Sequence, residues 1–363
     1  MDVRDLDTPA LVVDLERLEA NIAAMATQCR EAAVRLRPHT KTHKIPAIAR
    51  LQLDAGAGGI TCAKLGEAEV MADAGVDDIL VAFPVLGPAK LERLRRLRER
   101  ARVIVSLDDL VVDEGLAALG RRSGEPVEVY VEVDTGLHRM GRAPGEDTAE
   151  LVERVAELAG LRVTGLLSHA GHAYGVTAPG ERARLVDAEI EALTETRRRC
   201  AERGVTLDEL SVGSTPSVSA ELRSGAVTEV RPGTYVFNDS TMIDHHVATE
   251  RQCAAHVLAT VVSRPARDRF VIDAGTKALA ADGQGHRGWM RVAGRPDLTM
   301  TFLNEEHGVG SLDPAGPGLA VGDRVWCIPH HVCPVFNLFD RAFFVRDDAV
   351  VDVVPIAGRG RSQ

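Results

Sequence analysis

The sequence is poor in aromatic residues, with 8 Phe, 3 Tyr and 2 Trp among 363. It also lacks any run of about eighteen apolar residues, which excludes a membrane-spanning helix. The opening MDVRDLDTPALVVDLE is acidic and has none of the basic-then-apolar pattern of a secretory signal. Six cysteines, Cys29, Cys62, Cys200, Cys253, Cys327 and Cys333, stand apart with no CxxC pair, so disulfides are not expected and the expected location is cytoplasmic. Positive charge is in the minority, 43 Lys and Arg against 53 Asp and Glu, a net charge of −10. The one dense basic run, 91–102 (LERLRRLRERAR), puts Leu91, Leu94 and Leu97 on one helical face and arginines on the other, the pattern of a solvated helix. Without interleaved aromatics or a nucleic-acid motif, neither nucleic acid nor membrane is an expected partner.

What is present is ordinary for a soluble globular protein: 45% apolar and 26% charged residues. The length exceeds that at which one core usually stops growing, so a large domain with a smaller companion is expected. Short β-rich runs recur at 34–38, 59–62, 79–83, 103–107, 127–133, 163–168, 210–212 and 227–230. Amphipathic stretches such as 45–55, 66–74, 89–100 and 182–202 lie between them, each long enough for a right-handed crossover. Eight β/α units favour an α/β fold of the TIM-type (β/α)8 barrel over a doubly wound sheet. After about Asp244 the pattern changes to strands at 253–262, 269–272, 289–292, 324–328 and 342–345, joined by Gly/Pro/Asp turns without a convincing helix. The expected domains are therefore a barrel over 15–244 and an all-β domain over 245–363, joined by residues 1–14 with their short apolar strand 10–13.

In a barrel, side chains at the C-terminal strand ends face the active site. After the first strand stands Arg37-Pro38-His39-Thr40-Lys41-Thr42-His43-Lys44. A lysine between two histidines there could be desolvated and depressed in pKa enough to attack an aldehyde, although a solvated loop lysine is the commoner meaning of such a turn. The later strand ends read DTGLHRMG (134–141), SHAGHAY (168–174), SVGSTPS (211–217) and RPGTY (231–235). The last two are glycine turns where barrels commonly cradle a phosphate. With a strand-one lysine they describe a phosphate-bearing aldehyde, for which pyridoxal 5′-phosphate (PLP) is the economical choice.

VDTGLHRMG, SHAG and that lysine resemble the PLP barrel of alanine racemase. LDTPALVVDLERLEANI, RPHTKTHK, SVGSTPS, TEVRPGTYVF, IDAGTKAL, NEEHG and HHVCPVFNLFD resemble the D-serine dehydratase and D-threonine aldolase family over nearly the whole chain. The resemblance implies a Schiff base through Lys41, Arg139 at the phenolic oxygen, His169 stacked on the ring, and Gly213, Ser214, Thr215, Gly233 and Tyr235 around the phosphate. It also implies Tyr174 near the ring nitrogen. His39 and His43 are candidate proton carriers or structural residues, and the alternative for His169 is a satisfied interior histidine.

His331 and Cys333 form an HxC pair. On a β-strand, positions i and i+2 share a face, so both could ligate one ion, although a buried structural cysteine is the commoner case. The resemblance implies a divalent metal there, and imidazole with thiolate favours zinc, with manganese and magnesium as alternatives. A metal beside PLP suits a small D-amino acid bearing a β-hydroxyl, either dehydrated to a keto acid and ammonia or cleaved to glycine and an aldehyde. HxC, SVGSTPS and SHAGHAYG lean toward the dehydratases, PVFNLFD and IAGRGRSQ toward the aldolases, and dehydration is slightly favoured. A racemase is a further alternative, weakened because the only tyrosines, Tyr130, Tyr174 and Tyr235, all lie in the barrel region. A non-catalytic PLP carrier is disfavoured by the second domain. The resemblance also implies a homodimer.

Overall fold

The computed structural model describes residues 1–283 and 288–363. They form two compact units: Ala24–Lys41, Pro46–Gly233 and Arg361–Gln363 in one, and Met1–Ala23, Thr42–Ile45 and Thr234–Gly360 in the other. The sequence-expected boundaries at 14/15 and 244/245 are simpler than this division, in which the chain passes several times between the units. The first strand of the chain, β1 (Ala10–Asp14), belongs to the second unit and is taken up below.

The first unit is an eight-stranded parallel sheet: β2 (Arg35–Leu36), β3 (Ile60–Cys62), β4 (Asp78–Val81), β5 (Arg102–Leu107), β6 (Val127–Glu132), β7 (Leu161–Leu167), β8 (Glu209–Val212) and β9 (Glu229–Val230). Its order is β2-β9-β8-β7-β6-β5-β4-β3. A parallel bridge between His39 and Thr61 joins its two ends, with Thr61 N–H donating to Pro38 O at 2.8 Å, and the sheet closes on itself as the eight β-runs predicted. Leu80, Ile104, Tyr130 and Leu167, from four successive strands, pack as one buried cluster. Below them Arg37, fully buried, pairs with Glu229 at 2.7 Å and with Asp78. Buried charges of this kind are tolerated only when paired.

Crossover helices occupy Pro46–Asp54, Leu65–Asp73, Pro88–Arg98 and Pro179–Glu202, as expected from sequence. Leu110–Ser123 and Glu146–Ala156 are helical as well, though the sequence reading passed over them. The first of these carries its own signals: Asp109 accepts Val111 N–H as N-cap, and Gly124, at φ +75°, ends it in the left-handed conformation. Glycines inside it masked the pattern. A Cβ at Gly120 would lie 1.9 Å from Gly160 O, so the glycine permits close backbone approach at the expense of helix propensity.

The second unit is a nine-stranded sheet. Beside β1 it contains β10 (Ala255–Ala266), β11 (Arg269–Ile272), β12 (Met290–Val292), β13 (Leu298–Leu303), β14 (Gly308–Leu312), β15 (Arg324–Pro329), β16 (Arg341–Arg346) and β17 (Ala349–Pro355). The expected pairing of the opening strand with this region is present: β1 lies between β10, antiparallel, and β16, parallel. Val3, Leu6, Ala10, Val12, Leu258 and Val345 form the core of that junction. β13, β14 and β17 were not anticipated. Nor were the short helices Thr276–Leu279 and Val332–Phe336, a correction to the helix-free expectation. No helix among the described residues is long and apolar enough to cross a membrane.

Candidate active site

Lys41 lies in a 3₁₀ turn, Thr40–Thr42, at the end of β2. Within the barrel unit the turn is pinned where the sheet closes. His39 N–H donates to Pro232 O at 3.0 Å, Thr40 Oγ1 donates to Thr61 O at 3.0 Å, and Lys41 N–H donates to His39 Nδ1 at 3.4 Å. The structure brings His39 and His169 into the influence of Lys41, Arg139 and Arg231. Burial, reinforced by those cations, holds the His39 imidazole well below its ordinary pKa. Burial and Lys41 take His169 down to about 3, against the opposing effect of its hydrogen bond to Gly213. Both rings are therefore neutral at neutral pH.

His169 Nδ1 lies 3.0 Å from Gly213 O. A carbonyl only accepts, so the proton is on Nδ1 and the ring is fixed in one tautomer. Gly213 has φ +132°, and a Cβ there would lie 2.7 Å from Arg231 N, which is why this strand end requires glycine. Ser214, Thr215 and Gly233 are buried, whereas Tyr174, in the turn Gly171–Gly175, is half-buried. Arg139 is half exposed and stands 3.6 Å from Glu132. Burial raises the Glu132 carboxyl, partly offset by Arg139 and Arg231. The barrel's strand ends thus carry three cations, two neutral imidazoles and buried hydroxyl donors, a donor set that fits a phosphate-bearing anion. Tyr235 and His43 fall in the other unit.

In the sheet unit the HxC pair is not on a strand. β15 ends at Pro329, and His331 is the N-cap of the helix Val332–Phe336, so the strand argument for a shared face is replaced by a helical first turn. The two side chains nevertheless meet. His331 is raised to about 11: burial opposes the charged ring, but the Cys333 sulfur, Asp282 and Asp239 outweigh it, Cys333 and Asp282 as hydrogen-bond partners as well. Asp282 Oδ2 is 2.5 Å from His331 Nδ1, which orients the ring. Thr42 Oγ1 lies 3.2 Å from Cys333 Sγ. Asp239, fully buried, accepts Val332 N–H at 3.1 Å and Met242 N–H at 3.0 Å, fixing the backbone between His331 and Cys333. Burial pushes its carboxyl up to about 6. Among the described residues no group of three or more His, Cys, Asp or Glu is gathered for a metal. A two-ligand imidazole–sulfur set fits an open catalytic ion better than a closed structural one.

His43 is fully buried, its Nδ1 accepting Ile45 N–H at 3.0 Å and its ring edge-on to Phe237 at 6.5 Å. Phe237 in turn stacks on Phe336 at 4.3 Å. Sequence reasoning missed Glu132, Arg231, Asp239, Asp282 and the Thr42 hydroxyl. Arg231 had a signal, since it opens the same RPG turn from which Gly233 was chosen.

The chain matches the family described as alanine racemase, N-terminal domain, over residues 13–241. It belongs to that family. Residues 254–345 match a putative serine dehydratase domain, which agrees with the resemblance drawn from the motifs. A D-threonine aldolase of Arthrobacter sp is 35% identical over 362 residues, covering 99% of this chain and 94% of its own. A D-threo-3-hydroxyaspartate dehydratase of Delftia sp. (strain HT23) is 37% identical over 350 residues, covering 90% and 91%. The crystal structure of a D-threonine aldolase from Filomicrobium marinum superposes with a TM-score of 0.92 at 34% identity, covering 98% of this chain and 97% of that one. Both matched regions of the chain lie within the stretch over which the aldolase of Arthrobacter sp aligns with it.

Proposed function

We propose that this chain is a lyase that uses PLP and a divalent metal on small D-3-hydroxy amino acids, with dehydration to a keto acid and ammonia as its reaction. The cationic strand-end cluster around Lys41 carries the PLP reading, and the His331–Cys333 pair carries the metal. Lys41 is the amine that would hold the cofactor's aldehyde carbon. His169 would cover the ring, Arg139 would face its phenolic oxygen, Tyr174 the ring nitrogen, and Gly213, Ser214, Thr215 and Gly233 the phosphate. Zinc is the metal we assign to His331 and Cys333, on the softness of the sulfur ligand. When bound, PLP supplies an electron sink for charge at Cα and the metal supplies a Lewis acid for the β-hydroxyl.

The chain's own residues then have separable tasks. Lys41 Nζ, when it is not holding the cofactor, would be the base for the Cα proton. His39 is neutral and its Nδ1 already accepts the Lys41 N–H, so its Nε2 carries the ring hydrogen and can donate toward a carboxylate or a departing oxygen. His43 is held by Ile45 and Phe237, an arrangement that supports a structural part rather than proton transfer. Sulfur at position 333 is the observation that favours C–O over C–C cleavage. We also propose a homodimer, which rests on the resemblance.

The test is to incubate the purified protein with D-serine, D-threonine and D-3-hydroxyaspartate, with and without EDTA. Keto acid and ammonia in the metal-replete arm support dehydration, and glycine with aldehyde shifts the assignment to aldol cleavage. Absence of turnover on every D-3-hydroxy acid overturns the proposal.

A further inference from the structure

Two buried acids in the barrel unit have no part in the chemistry above. Glu221, on the helix Val218–Arg223, and Glu189, on Pro179–Glu202, are both fully buried, and each has one carboxyl oxygen, Oε2, without a hydrogen-bond partner among the described residues. The nearby guanidinium of Arg231 does not pair with them. Its hydrogen bonds go to Ser211 Oγ at 2.6 Å and to Ser168 O at 2.5 Å. Glu189 Oε1 accepts from Ser168 Oγ at 2.5 Å. Glu221 Oε1 lies 2.5 Å from Ser217 Oγ, at the base of the SVGSTPS turn.

Ser217 Oγ has four polar neighbours: Glu221 Oε1, Ser214 N at 3.2 Å, Ser214 O at 3.1 Å and Ser214 Oγ at 2.7 Å. A hydroxyl has one hydrogen to give and two lone pairs to fill. The Ser214 N–H takes one lone pair. The direction of the Glu221 bond then settles the rest. If Glu221 is an acid and donates, the second lone pair is filled, and the Ser214 hydroxyl cannot donate inward, so its hydrogen is turned out of the turn. If Glu221 is a carboxylate, Ser217 must donate to it, and the vacant lone pair draws the Ser214 hydrogen inward.

The surroundings select the acid. An ionised carboxylate with a bare oxygen, in a dry interior beside a second carboxyl, is strongly disfavoured. The charged or titratable groups that face Glu221 are Glu189, Arg231 and Cys29. Burial, and then the charge of Glu189, hold the Glu221 carboxyl well above the ordinary carboxylate range.

We propose that Glu221 is a positioning residue that works as a carboxylic acid, setting the direction of the Ser217–Ser214 hydroxyl chain so that Ser214 offers its hydrogen to an anionic group. This rests on the reading of the preceding subsection, in which that group is the phosphate of PLP.

The test compares the affinity of the apoprotein for PLP and for pyridoxal, which lacks the phosphate, by absorbance titration. Glu221→Gln keeps a donor to Ser217 and retains wild-type PLP affinity. Glu221→Met has no donor and loses about 10- to 100-fold for PLP, the scale of one hydrogen bond to a charged group, with pyridoxal affinity unchanged. Ser214→Ala loses the same factor, and combining it with Glu221→Met adds nothing. Circular dichroism of each apoprotein checks folding. If Glu221→Met does not fold, Glu221→Gln and Ser214→Ala still decide the matter. Loss of PLP affinity in Glu221→Gln, full affinity in Ser214→Ala, or an equal fall for pyridoxal would overturn the role of Glu221. Failure of the wild-type protein to bind PLP overturns the cofactor reading itself, and the role with it.

Discussion

In the barrel, Lys41, His169 and Ser214 stand on different strand ends, each tied through backbone groups: His39 N–H to Pro232 O, His169 Nδ1 to Gly213 O, Ser214 N–H to Ser217 Oγ. In the sheet unit, His331 and Cys333 stand on one turn of a five-residue helix, and side chains from elsewhere steer them: Asp282 for the ring, Thr42 beside the sulfur, Asp239 for the backbone between. Anchoring through backbone groups spreads the cost of any one substitution over a rigid frame. Steering by single side chains concentrates it. The groups held by the barrel backbone should therefore tolerate loss of an individual supporting residue, the side-chain relay Glu221–Ser217–Ser214 excepted, while the proposed metal pair should respond sharply to changes one residue removed from it.

Four measurements would break or sharpen that contrast. The largest effect is expected for Lys41→Ala, with turnover down about 10³-fold or more and metal content unchanged. Loss of metal in this variant would mean the two centres are not independent. Cys333→Ala comes next: turnover down about 10²-fold or more with the metal gone, while bound PLP and its visible absorbance remain, as mass spectrometry and spectroscopy would show. Asp282→Asn leaves both ligands in place but frees the His331 ring, and metal affinity should drop about 10- to 100-fold in a competition titration. An unaltered affinity would remove the steering role given to this carboxylate.

The smallest effect is on stability against pH, and its two limbs have opposite causes. His39 and His169 stay neutral when folded, while unfolded histidines take up protons below about pH 6.5, so stability is full above that pH and falls as acid is added. Glu221, held well above the ordinary carboxylate range, keeps its proton when folded, while unfolded glutamates lose theirs above about pH 4.3, so its contribution is full in acid and falls as pH rises through the folded value. Thermal melts across this range should show His169→Asn flattening the acidic limb and Glu221→Gln flattening the alkaline one. Identical slopes in variant and wild type would contradict the assignment.

Much of the barrel was legible because its strands are short β-rich runs whose β/α spacing repeats, and the candidate residues fall directly after those runs. What escaped the reading was set by contacts that spacing does not encode. Gly310 sits inside β14 because a Cβ there would lie 2.3 Å from the Phe270 ring, and such glycines erase the strand signal. Asp282 and Asp239 are 49 and 93 positions from the groups they hold. No local pattern links acids to partners so distant. The HxC pair was found by spacing but placed on a strand, whereas His331 is the extended N-cap of a helix whose first turn carries Cys333, a junction that spacing does not encode.

The position of β1 has a consequence for how the protein is made. Val12 pairs with His256 on one side and Phe343 on the other, so the strand synthesised first completes its hydrogen bonding only after roughly 330 further residues have been added. At the usual rate of about 5–20 residues per second, an apolar strand with at least one edge open waits on the order of 15–65 s on the ribosome. A circular permutant that moves this segment behind β17 would shorten that exposure, and its yield of soluble protein relative to the parent would measure how heavily the delay weighs on biogenesis.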